Sequence, residues 1–126
     1  MRVVLYFRML LLPEMMGTVY VGPTQTKRLL GRLGERVLAQ VSSLVQRTAL
    51  ARHWPLARIE VRHTRDAELT DWEYVLVVLV FHSYFEEADR YLKKLYSDLD
   101  ALAAKLSDEE RTVFQRLIFF DVATVS

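Results

Sequence analysis

A chain of 126 residues without cysteine can bury one core unaided, but it cannot build disulfides, thiolate nucleophiles or cysteine-based metal centres. Its apolar content excludes a disordered chain, and no apolar run approaches the ~20 residues needed to cross a bilayer. The net charge of +1 conceals a division: residues 1–65 hold eleven Lys/Arg against three Asp/Glu, whereas residues 66–126 hold six against thirteen. Such a split reads either as a basic binding surface or as two halves that neutralise each other inside one domain.

Residues 2–12 are apolar and β-branched enough for a strand ended by Pro13. The segment is no convincing signal peptide, because Arg8 interrupts it and no small-residue cleavage site follows; Met15 or Met16 offers an alternative start. Thr18 to Val21 is a second short strand, closed by the turn signal Gly22-Pro23. Residues 1–22 are thus read as peripheral or as an extended N-terminus.

From Thr24 to about His53 the period becomes helical, with Leu30, Leu33, Val37, Val41 and Leu44 in one stripe widened by Leu38 and Val45. Arg28, Arg32 and Arg36 follow one another at four-residue steps on the opposite side. Gly31 and Gly34 weaken the first turns by up to ~1 kcal/mol each relative to alanine and imply a bend or close packing. Ala57 to Thr64 alternates, with Ile59, Val61 and His63 on one face and Arg58, Glu60 and Arg62 on a wet one. Trp72 to Phe81 is apolar on both alternate sets, which places it inside a sheet covered on both sides.

Ser83 and Glu86 have the spacing of a capping box. Phe85, Ala88, Leu92, Leu95, Leu99, Leu102 and Leu106 then recur at steps of three and four. That stripe suits a long helix lying on a sheet, with a coiled-coil seam as the alternative. Ser107 and Glu110 mark a second box and a short helix to about Arg116, and Leu117 to Val125 closes the chain as a strand. The whole reads as one α+β domain over residues 1–126. Its expected fold is ferredoxin-like, a split βαβ (βαββαβ) antiparallel sheet with two long helices on one face and a short extra helix before the last strand. Helices on one face leave the other face needing a cover. Either a second copy of the chain or residues 1–22 would supply it.

Catalytic signatures are few. No Gly-x-Ser-x-Gly occurs and no Gly-x-x-x-x-Gly-Lys cradles a phosphate, so an enzyme is not the favoured class and no cofactor is implied. Antiparallel pairing would bring His53 and His82 to one edge of the sheet beside Glu86, a weak candidate metal set. The carboxylates Glu86, Glu87 and Asp89, like Asp108, Glu109 and Glu110, fall in first turns of helices, where the dipole stabilises them. Lys27, Arg28, Arg32, Arg36 and Arg47 form a candidate nucleic-acid contact, since a row of guanidiniums can track phosphates. No interleaved aromatics accompany them for stacking on bases. The favoured expectation is a non-enzymatic, cytoplasmic interaction domain that self-associates, as a homodimer, or holds a protein partner. Trp72, Tyr74, Leu76, Val78 and Val80 would be its interaction face.

Overall fold

The computed structural model describes residues 18–66, 68 and 72–125. The strand expected within residues 2–12 and the alternative start at Met15 or Met16 lie outside them. Strand β1 (Thr18–Val21) is short, and Gly22 stops it with a left-handed φ of 71°. Pro23 then occupies the first helical position, where its missing amide hydrogen costs nothing. Helix α1 (Pro23–Arg52) ends on His53, whose φ is 59°. Its last carbonyls are satisfied in the Schellman pattern: Trp54 N–H donates to Ala49 O at 2.9 Å and His53 N–H to Leu50 O at 3.3 Å.

Strands β2 (Leu56–Arg65) and β3 (Glu73–Phe81) form an antiparallel pair. Helix α2 (Phe85–Lys105) follows, then α3 (Asp108–Leu117) and β4 (Ile118–Thr124). The Ser107–Glu110 box forms as expected: Glu110 N–H donates to Ser107 Oγ at 3.2 Å and Ser107 N–H to Glu110 Oε1 at 3.0 Å. The box expected from Ser83 and Glu86 is displaced by one residue. Tyr84 is the N-cap, and its N–H donates to Glu87 Oε1 at 3.3 Å.

The ferredoxin-like topology is overturned. The sheet is mixed, with strand order β1-β2-β3-β4; β1 is parallel to β2, and β3 is parallel to β4. A split βαβ unit returns its second strand one place beyond a neighbour. Here each crossover returns to the adjacent place, and adjacent strands joined by a helix run parallel. The reason lies in β1. It has four residues, and Val19, Tyr20 and Val21 are all exposed, so it suits an edge and not the interior position of the split arrangement. Thr18 also ties it to α1, since its hydroxyl shares a 2.8 Å hydrogen bond with that of Ser42.

The placement of β3 between two strands holds, because β2 and β4 flank it, but the expected cover on both sides is incomplete: Trp72 is exposed and Tyr74 and Leu76 are half-buried. The core lies between the sheet and the helices. Val75, Val77, Leu79 and Phe81 of β3 pack there with Ile59 and Val61 of β2 and Ile118 and Val122 of β4. From the helices come Val37, Val41 and Val45 of α1, Leu92, Leu95 and Leu99 of α2, and Phe114 of α3. The α2 stripe therefore lies on the sheet and is no free coiled-coil seam, although Phe85 at its start is exposed.

Candidate interaction face

Side chains alternate across a strand, so the residues of β3 between those of the core point away from the helices. The register arranges that second face in rows. Thr64 stands opposite Tyr74; Arg62, Leu76 and Phe119 form the next row. Glu60, Val78 and Asp121 form a third, and Arg58, Val80 and Ala123 a fourth. Trp72, just before β3, closes the apolar end.

At that end three rings meet. Trp72 and Tyr74 lie 4.8 Å apart between centroids, and Phe119 meets them edge-on at 5.6 and 5.3 Å. Edge-to-face contacts of this kind add ~0.5–1.5 kcal/mol per pair beyond area burial. Trp72 is nevertheless 38% exposed, and Tyr74 and Leu76 are half-buried. The five residues expected to form the interaction face do share it, with unequal access: Val78 and Val80 are 7% and 1% exposed. The accessible apolar patch is therefore Trp72, Tyr74, Leu76 and Phe119.

A charged column borders the patch on β2. Glu60 receives Arg58 Nε at 2.7 Å on one carboxylate oxygen and Arg62 at 2.6 Å on the other. The hydrogen bond from Arg62, then that from Arg58, holds its carboxyl below the usual carboxylate range. The carboxylate is buried while both guanidiniums remain substantially exposed. On the other side of β3, Asp121 is exposed and accepts from the Val122 amide at 2.8 Å. Phe119 and Asp121 were not among the residues expected on the face, because only the β3–β4 register sets them beside Leu76 and Val78. The Arg58-x-Glu60-x-Arg62 alternation is visible in the sequence, but its mutual ion pairing is not.

The expected nucleic-acid contact is placed differently from a single ridge. Lys27, Arg28, Arg32, Arg36 and Arg47 are all exposed on α1, and among the described residues none of them forms an ion pair within 4 Å. Gly31, with φ 67° and ψ −172°, breaks the helix between Arg28 and Arg32, so their four-residue step no longer stacks them. Arg28 lies near Glu73, whose carboxyl is held low by His63 first and by Arg65 and Arg28 after it. Glu73 accepts from His63 Nε2 at 2.9 Å and from Arg65 at 2.7 Å. Arg36 likewise helps to hold down Glu110, behind the larger effect of Ser107. The basic and acidic halves thus meet at two points of one fold.

The third expected grouping is only half assembled. His82 N–H donates to Pro55 O at 2.8 Å, so the ends of α1 and β3 do share an edge. Among the described residues no three His, Asp or Glu side chains gather closely enough to hold a metal ion; these residues include His53, His82 and Glu86. A surface hollow of about 560 Å3 at the same edge is lined by His82, Tyr84, Phe85, Glu87 and Thr124. Its Glu87 carboxylate is engaged with the Tyr84 amide, and the neighbouring Ser83 hydroxyl donates to Tyr84 O at 3.1 Å. Among the described residues no helix is long and apolar enough to cross a membrane. Comparison with known protein families, characterised proteins and solved structures finds no match.

Proposed function

We propose that this chain is a protein-interaction domain that docks through the face of its sheet opposite the helices. One observation carries the reading: Trp72, Tyr74 and Phe119 form an aromatic cluster beside Leu76, on the side where none of the described helices packs, and the tryptophan stays open to solvent. Aromatic anchors ringed by arginine and carboxylate are the composition of interface cores and their rims. Contiguous apolar surface of this kind is seldom left wet in a monomer. An environment-sensitive dye such as anilinonaphthalene sulfonate, added to nanomolar protein, is expected to brighten on the native chain. With Trp72 and Phe119 both replaced by serine, the brightening is lost while the circular dichroism is unchanged. No dye response at that dilution means that the chain covers the face itself, and the reading is then wrong.

A second reading, nucleic-acid binding by α1, draws on the arginines that lack ion pairs. Phosphate tracking by Arg28, Arg32, Arg36, Arg47 and Lys27 would weaken steeply with salt. Filter binding at low and at physiological salt checks it, and negligible retention at the lower concentration removes it.

A further inference from the structure

Val78 and Val80 are 7% and 1% exposed in a single chain, on the side of the sheet where none of the described helices packs. Their neighbours in the sheet do not hide them. Arg58 and Arg62 reach along β2 to Glu60, at 2.7 and 2.6 Å, and not across to β3. On β4, Ala123 offers only a methyl group beside Val80, and Asp121 turns back to the Val122 amide at 2.8 Å. Burial also changes along the strand: Trp72 is exposed, Tyr74 and Leu76 are half-buried, and Val78 and Val80 are closed off. The cover therefore sits at one end of the face and belongs to the same chain. We propose that residues 2–12 are that cover and lie over Val78 and Val80, so that the docking patch ends at Leu76.

Attachment, length and composition all favour this segment. Thr18 pairs with Ile59, the residue after Arg58, and Arg58 pairs with Val80. The chain thus joins β1 at the closed end of the face, away from Trp72. From β1 to β3 is two strand spacings, roughly 10 Å, and residues 13–17 can span up to ~17 Å when extended. Residues 2–12 hold nine apolar side chains and two arginines with no acidic residue, so they have apolar surface to lay against the two valines. No other stretch outside the described residues is left for the role: residues 67 and 69–71 adjoin Trp72 at the open end, and residue 126 is one serine.

The absence of cysteine makes the cover testable by single thiols placed in the full chain. Val80→Cys is expected to react with N-ethylmaleimide about tenfold or more slowly than Trp72→Cys, because it is reached only through local opening. Replacing Leu5, Tyr6, Phe7 and Leu10 together by serine should remove most of that protection. Val77→Cys, on the helix side of the same strand, should stay slow in both backgrounds and so reports that the fold is kept. Equal rates at Val80→Cys and Trp72→Cys in the unaltered segment would mean that nothing lies over the valine, and the proposal falls. It falls equally if Val80→Cys stays protected beside the four serines while Val77→Cys remains slow. Should the serines unfold the chain and expose Val77→Cys, a nitroxide on Asp121→Cys with the natural segment decides. Asp121 shares the row of Val78. The label is expected to broaden the amide resonances of residues 2–12, and sharp resonances there would overturn the placement. A cover over Val78 and Val80 needs no partner at the Trp72 end, and dye binding there tests the docking patch separately, so either reading can fail alone.

Discussion

Phe81→Ala is expected to cost about 3–5 kcal/mol of stability, the range for emptying a large buried aromatic site. Phe81 is the last residue of β3 and is 1% exposed. Its ring lies 4.9 Å from that of Tyr91 on α2 and 6.5 Å from that of Trp54, which itself stacks on Tyr91 at 5.0 Å. Three segments therefore meet on one side chain: the end of the central strand, the long helix after it, and the turn after α1. Neighbours held by both backbone pairing and ring contacts relax little into a vacated site, so the cavity term adds to the transfer term. Urea unfolding should show the midpoint falling with little change in slope. The contrast with Phe119→Ser is informative, since that ring lies on the opposite face and should cost the isolated chain far less. If the two substitutions proved equally damaging, the division into a core face and an outer face would be wrong.

The second large effect lies in α1, where two glycines three residues apart act together. Gly31 adopts φ 67° and ψ −172°, a region that is essentially glycine's alone. The resulting kink folds Leu30 back over Gly34: a Cβ at Gly34 would stand 2.6 Å from Leu30 Cβ. In a regular helix residues four apart hold their Cβ atoms ~5–6 Å apart. Gly34→Ala alone therefore pushes against a buried leucine and should cost ~1–3 kcal/mol. Gly31→Ala alone strains the backbone by a similar ~1–3 kcal/mol, although among the described residues nothing stands within 4 Å of a Cβ placed there. The double variant is expected to lose less than the sum of the two, because a helix straightened by alanine at 31 restores the room that alanine at 34 needs. A double-mutant cycle by chemical denaturation measures the coupling, expected at ~0.5–3 kcal/mol. Strict additivity would show that the kink persists without its glycine and that the two positions are independent.

The candidate face of the sheet was legible in part. Trp72, Tyr74, Leu76, Val78 and Val80 do share one side of a central strand, because a period of two needs no knowledge of the rest of the chain. Their unequal access was not legible, nor was the company of Phe119 and Asp121. Both follow from the pairing of β3 with a strand about forty residues further on, and a shift of one residue would have turned Phe119 inward. The α1 arginines show the converse. Their spacing is plain in the sequence, yet a single backbone angle at Gly31 breaks the row.

What the amino-acid sequence determined by itself is local: the extents of α1 and α2, the Ser107–Glu110 cap, the alternation of β2 and the apolar character of β3 on both alternate sets. Each arises from contacts between residues a few places apart, whose chemistry is set once the side chains are known. Tertiary structure alone decided the order and direction of the strands. The same alternation of strands and helices serves a split antiparallel sheet or two unsplit parallel crossovers. The choice fell on which strand tolerates an edge. β1, with four residues and a hydroxyl bonded to α1, takes that position, and both crossovers return to the neighbouring place.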